Sequence, residues 1–147
     1  MTNSTHLSDV RFSELGLLPV IQQAVEKTGF EFCTPIQAES LPLSLAGKDV
    51  AGQAQTGTGK TAAFALPTLH RMSQVSPKRR VIRVLVLTPT RELALQVSES
   101  FQTYGRYLDV RTAVVFGGVS AVPQRKTLKQ GIDTLVASPG RLLDLYE

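Results

Sequence analysis

Residues 54–61 read A-Q-T-G-T-G-K-T. Gly57 and Gly59 allow a backbone to turn its amides inward with no Cβ in the way. The next stretch, K-T-A-A-F-A-L-P-T-L-H-R-M from residue 60, reads as a helix, although Pro67 must either end it near Leu66 or kink it. The residues before, D-V-A-G-Q-A at 49–54, read as a short strand. Strand, glycine loop and helix together form an anion cradle, because loop amides and a helix N-terminus converge there. Ala54, Gln55, Thr56, Gly57, Thr58, Gly59, Lys60 and Thr61 make up that cradle. Lys60 is placed to reach the β- and γ-phosphates of a nucleotide, and the Thr61 hydroxyl to hold Mg2+. The strict pattern begins with Gly, and Ala54 is a small departure from it. A flexible Gly-Thr linker is the competing reading, and the flanking elements speak against it.

Working outward, β-rich runs alternate with helical patterns. V-I-R-V-L-V-L at 81–87, V-R-T-A-V-V-F at 110–116 and T-L-V-A at 134–137 are expected strands. The stretch from Arg91 places Leu93, Val97, Phe101 and Tyr104 on one helical face, and a less regular helix is expected from Ala121 to Gln130. Two helices, roughly 18–28 and 35–45, precede the first strand. Thr34-Pro35 has the form of a helix start. Alternation of this kind implies an α/β fold with a parallel sheet.

The chain has 147 residues, 42% hydrophobic and 19% charged, which suits one soluble globular domain. Its apolar runs fall short of the ~20 residues needed to span a bilayer. The polar start, M-T-N-S-T-H-L-S-D-V, lacks a signal-peptide core and is expected to be a mobile tail. A net charge of +4 suits a polyanion partner without specifying one. Lys78, Arg79 and Arg80 read as a solvated loop. The single cysteine, Cys33, excludes an internal disulfide and a cysteine zinc cluster. It reads as a small apolar side chain in a reducing compartment. His6 and His70 fit no metal or catalytic spacing.

Upstream of the cradle lies G-F-E-F-C-T-P-I-Q at 29–37. The Gln37 amide can donate to and accept from one adenine edge at once, a pattern that mismatches guanine. Phe12, Phe30 and Phe32 are candidate rings for stacking on a base. Taken alone, such a Gln near a helix start is better explained by solvent exposure.

These stretches, with P-T-R-E-L-A at 89–94, G-G at 117–118 and S-P-G-R at 138–141, resemble the ordered motifs of the DEAD-box ATP-dependent RNA helicases. V-V-F-G-G-V-S and G-R-L-L-D-L are similar to bacterial members. The family's last motif of this set begins with Thr, and Ser138 keeps the hydroxyl. The resemblance implies a RecA-like P-loop NTPase, α/β, with a parallel sheet, helices on both faces, and truncation before the D-E-A-D strand. Residues 1–10 would be the tail, and 11–147 the N-terminal portion of the ATP-binding domain, with its Q motif at 29–37 and P-loop at 54–61. Phe12 matches the motif's isolated upstream aromatic. Phe12 or Phe32 would stack on adenine, Gln37 would read it, and ATP with Mg2+ would be the cofactors.

The partner would be RNA, gripped by its backbone without regard to sequence. Pro89, Thr90, Arg91, Gly117, Gly118, Gly140 and Arg141 would make the contacts. Thr90, Gly118 and Gly140 each follow an expected strand where a helix begins, so exposed amides there can meet phosphates. Arg91 and Arg141 can add charge-assisted bonds. Arg91 could instead pair with Glu92 on the helix surface, Gly117-Gly118 could be only a turn, and Arg141 could be solvated. The resemblance further implies a cytoplasmic protein, no membrane association, and RNA-processing or ribosome-assembly proteins as candidate partners.

The sequence holds no D-E-A-D and no S-A-T. Asp49, Asp109 and Asp133 precede strands, and Asp144 and Glu147 follow S-P-G-R on a helical stretch. No acid therefore stands just past a strand, where phosphoryl transfer needs a carboxylate for Mg2+. The expectation is a fragment of a helicase that unwinds short RNA duplexes, inactive by itself, marginally stable and prone to aggregate. The alternative is a non-catalytic nucleotide- or RNA-binding module from a truncated gene. A P-loop kinase or GTPase is disfavoured, since no lid and no N-K-x-D is present.

Overall fold

Thr34 stands at the N-cap of a helix with Pro35 at its first position, where the sequence predicts the start, and that helix runs Pro35–Leu45. The computed structural model describes residues 7–54, 59–75 and 80–146. The chain divides into two units, one of residues 1–75 with 104–108, the other of 76–103 with 109–147.

The first unit is helical among its described residues. A 3₁₀ turn covers Phe12–Glu14, followed by α1 (Pro19–Lys27), α2 (Pro35–Leu45) and α3 (Lys60–Ser73). Helix α3 buries Ala62, Ala65, Leu66, Leu69 and Met72, a stripe at helical spacing that packs chiefly on α2. It runs on through Pro67, whose missing N–H leaves the Ala63 carbonyl without its usual helical donor. His70, on α3, accepts a hydrogen bond at Nδ1 from the Leu18 amide (3.3 Å), tying the start of α1 to α3.

Residues 8–12 lie antiparallel to 31–33. The Phe12 amide donates to the Glu31 carbonyl (3.0 Å) and the Cys33 amide to that of Val10 (2.8 Å). The Ser8 amide and hydroxyl both donate to the Cys33 carbonyl, at 2.8 and 2.7 Å. Ser8 to Val10 are thus strapped to the body of the unit, contrary to the expected tail over 1–10. Residues 1–6 lie outside the described residues.

The expected strand at 49–54 does not form. These residues pair with nothing in the described structure, and 49–53 are exposed. A strand exists through its ladder. D-V-A-G-Q-A has only one β-branched residue, Val50, and a weakening Gly52, so without a neighbour nothing holds it extended.

The second unit alternates β1 (Val84–Leu87), α4 (Arg91–Tyr104), β2 (Thr112–Val115), α5 (Val122–Gln130), β3 (Thr134–Ala137) and α6 (Pro139–Tyr146), where the last residue of α4 belongs by its contacts to the first unit. The three strands form a parallel sheet in the order β1-β3-β2, the α/β arrangement expected. Val84 to Leu87 pair in register with Thr134 to Ala137, and Thr112 to Val115 with the same four residues. The central strand β3 is buried at every position, as its continuous apolar pattern requires. Ala113, Val115, Leu135 and Ala137 share one face with Ile132, and Leu128 of α5 with Leu142 and Leu145 of α6 pack against it. Edge strand β1 extends that face with Leu85 and Leu87, which remain 50% and 55% exposed.

Helix α4 presents Ala94, Val97, Ser98, Phe101 and Tyr104 inward. Leu93, expected on that face, is exposed. Ala94, one residue on, takes the buried position because i, i+3 and i+7 from it meet Val97 and Phe101.

At the amino end of the sheet, Asp133 is 1% exposed. Its carboxylate accepts from Arg80, from Arg83 Nη2 (3.0 Å) and from the Arg111 amide (2.8 Å). Arg80 also pairs with Asp109 at 3.0 Å, so it belongs to an ion-pair cluster rather than to a solvated run. Lys78 and Arg79 lie outside the described residues.

Candidate functional site

Capping chemistry positions Gln37. As the third residue of α2 it reaches back, and its Oε1 accepts from the Thr34 amide (2.9 Å). Its Nε2 donates to the Gly59 carbonyl (3.2 Å), where α3 begins. Gln37 is 4% exposed, so the solvent-exposed reading fails. Gly59 has φ +82°, and a Cβ built on it would lie 2.2 Å from Gln37 Nε2. Only glycine satisfies both the backbone turn and the side chain packed against it. Lys60 follows, exposed, at the N-terminus of α3, and Thr61 is half-buried beside it. Lys60 shares a groove of about 470 Å³ with Ile36, Ser40, Lys48, Gly52 and Phe64. That is the size of a small-molecule site. Ala54 is half-buried, and Gln55, Thr56, Gly57 and Thr58 lie outside the described residues.

The candidate rings separate by burial. Phe12 is 2% exposed and its amide is tied to Glu31, so it is a core residue and cannot stack on a base. It is buried in the body of the unit instead. Phe32 is half-buried, with the Arg11 guanidinium 4.7 Å from its ring centroid. Phe30 is the open ring at 52% exposed. Cys33, fully buried, has its thiol pushed up to about 11 by burial and by nearby Glu14, which makes it inert near neutrality.

In the second unit, parallel in-register strands bring two loops and a helix start to one edge. Pro89-Thr90-Arg91 follow β1, Gly117-Gly118 follow β2, and Gly140-Arg141 follow β3. Pro89, Thr90, Arg91, Gly117, Gly118 and Gly140 are all exposed. The Thr90 hydroxyl accepts from the Leu93 amide (3.2 Å) and so caps α4. Arg91 does not pair with Glu92 among the described contacts; its guanidinium sits 4.6 Å from the Phe116 ring centroid.

Arg141 departs from expectation. Its side chain is 11% exposed. Nη2 donates to the Val119 carbonyl (2.7 Å) and Nη1 to Gln124 Oε1 (2.9 Å). Gln124 Nε2 in turn donates to the Phe116 carbonyl (3.1 Å). The guanidinium holds the loop rather than facing solvent. Gln124 is the residue that sequence reading missed, since a lone Gln in an irregular helix carries no periodic signal.

Charge is divided unevenly. The first unit holds six Lys/Arg and six Asp/Glu, the second ten and six, so the whole excess of four belongs to the unit with the exposed loops. Helix α5 contributes Arg125, Lys126 and Lys129 and no acid. Exposed amides past parallel strands in a basic unit are suited to phosphates.

A family model for the DEAD/DEAH box helicase matches residues 34–147. The chain belongs to that family. It is 47% identical over 146 residues to the ATP-dependent RNA helicase RhlB of Shewanella baltica (strain OS155), a match covering 97% of this chain and 33% of that protein. The RhlB proteins of Shewanella oneidensis (strain MR-1) and Shewanella piezotolerans (strain WP3) are 46% and 45% identical, with the same coverage. The chain spans about a third of the length of the curated relatives it matches.

Proposed function

We propose that this chain serves an ATP-dependent RNA helicase, binding ATP at the Gln37–Gly59–Lys60 cradle and the RNA backbone at the loops past β1, β2 and β3. One observation carries the RNA half: two exposed loops and a helix start leave one edge of a parallel sheet, in the unit that holds the whole positive excess. The nucleotide half rests on Gln37. Its amide has used one N–H and one lone pair, so one donor and one acceptor remain, the pair that adenine's N6–N7 edge needs. Of the rings, Phe32 and the open Phe30 are the ones left for stacking. Gln55, Thr56, Gly57 and Thr58 would complete the phosphate cradle, and Lys60 would meet the outer phosphates.

Among the described residues no group of three His, Cys, Asp or Glu could hold a metal. A magnesium ion would be carried in by the phosphates and touched by the Thr61 hydroxyl, neutralising charge on them. Arg91 would bind RNA phosphate while resting on Phe116, and Pro89, Thr90, Gly117, Gly118 and Gly140 would present backbone. Arg141 would act by holding that surface in shape. Unwinding of short duplexes belongs to the whole protein, acting in the cytoplasm with RNA-processing or ribosome-assembly partners. Among the described residues no helix is long and apolar enough to cross a membrane. With no D-E-A-D in its sequence, the chain by itself binds ATP without turning it over.

The test is a titration with single-stranded RNA at several salt concentrations, with ATP turnover followed in the same samples. Affinity should be indifferent to RNA sequence and fall linearly in log–log form with salt, and Arg91→Ala should reduce the slope by about one. Salt-independent binding would contradict the RNA reading. Turnover that disappears in Lys60→Ala would contradict the inactivity.

A further inference from the structure

The Gly117-Gly118 turn is held by bonds and not by packing. A Cβ built on either glycine meets nothing within 4 Å, and Gly118 has φ +82°. What fixes the turn is a ring of side chains around it. The carbonyl before the turn, of Phe116, accepts from Gln124 Nε2 at 3.1 Å. The carbonyl after it, of Val119, accepts from Arg141 Nη2 at 2.7 Å. Gln124 Oε1 and Arg141 Nη1 close the ring at 2.9 Å. The turn past β2 is thereby locked to the first turn of α6, and the Arg91 guanidinium on the Phe116 ring adds the start of α4.

Gln124 is the hinge pin of this ring. A carboxamide donates from one atom and accepts at the other, which both of its contacts demand. A carboxylate could accept from Arg141 but would repel the Phe116 carbonyl. A thioether of the same length could do neither. Beyond Gln124, Arg141 is anchored by the Val119 carbonyl alone at hydrogen-bond distance: its Nε is buried without a hydrogen-bond partner, and Asp144 Oδ2 lies 3.8 Å away.

We propose that Gln124 is the positioning residue of the RNA-facing surface, setting the Gly117-Gly118 turn and Arg141 in the binding arrangement without touching RNA. This rests on the RNA-binding reading above. It separates two roles in one surface: Arg91 neutralises phosphate, whereas Gln124 keeps the exposed amides aimed.

The experiment compares the full chain with Gln124→Met and Gln124→Glu. RNA affinity is measured at several salt concentrations, well below the thermal midpoint of each variant, and hydrogen exchange is measured at the 117–119 amides. Gln124→Met should bind RNA about tenfold more weakly, the loss of one to two half-buried hydrogen bonds, with its salt slope unchanged because no phosphate contact is lost. Exchange at 117–119 should rise by a similar factor. Gln124→Glu, which keeps the Arg141 bond, should show less exchange than Gln124→Met. Wild-type affinity in Gln124→Met, or a slope reduced by about one as in a direct phosphate contact, would overturn the assignment. If the wild-type chain binds no RNA, the RNA reading falls and this role with it. The exchange arm then states separately whether Gln124 pins the turn.

Discussion

Gln37 is a side chain with two backbone commitments, one to its own helix start and one to the residue that opens the next helix. That makes Gly59 the sensitive position of the first unit. Alanine there would have to adopt φ +82°, at a cost of ~1–2 kcal/mol, and would place a Cβ 2.2 Å from Gln37 Nε2. Gly59→Ala should lower the thermal midpoint by several degrees and weaken binding of an ATP analogue about tenfold or more. Adding Gln37→Ala should restore part of the stability, by removing the clash, and none of the preference for ATP over GTP. A Gly59→Ala chain that melts and binds as wild type would contradict this account. The residue types at this site were legible in the sequence, because glycine, lysine and a carboxamide declare their chemistry. Burial was not. Nothing in R-F-S-E-L-G-L distinguishes a stacking ring from the core residue Phe12 proves to be, and Arg141 gave no sign that it faces inward.

At the scale of elements, the sheet is held at its two ends by different chemistry. Asp133 anchors the amino end. Burial alone would raise its pKa, but bonds from the Arg111 amide, Arg83 and Arg80 outweigh it and hold the carboxyl below its usual range. A depressed folded pKa contributes stability that is present above the unfolded value of about 3.9 and is lost as pH falls through the folded value. Stability should therefore decline as pH drops below about 4, and this part of the decline should vanish in Asp133→Asn. That variant should itself be less stable at neutral pH, since Arg83 and Arg80 then face a neutral group. Urea unfolding at pH 3.5, 5 and 7 checks both, and a wild-type pH profile in the variant would contradict the anchor. The sequence placed Asp133 before its strand but offered no view of the arginines, which lie 50 and 53 residues away. Elements with strong local signals were legible: α2 begins where Thr34-Pro35 indicate, and β3 coincides with T-L-V-A. The strand at 49–54 was not, because strands depend on partners that a local pattern does not contain.

The whole molecule presents two contrasting surfaces. Its positive excess lies in one unit, and among the described residues the same unit leaves β1 with one neighbour and with Leu85 and Leu87 uncovered. An unpaired strand edge beside exposed leucines is a template for another chain. Leu87→Lys places a charge on that edge and removes little buried contact. It should suppress light scattering on warming while leaving the dilute-solution midpoint within a few degrees of wild type. Equal scattering in the variant would show that aggregation starts elsewhere.

The open side of β1 also means that the amount of protein in the tube is itself a thermodynamic variable. Two laboratories working at different concentrations would report different midpoints wherever that edge pairs with a second copy. Both would be right, each having titrated an unnoticed second reagent that is simply more of the same polypeptide.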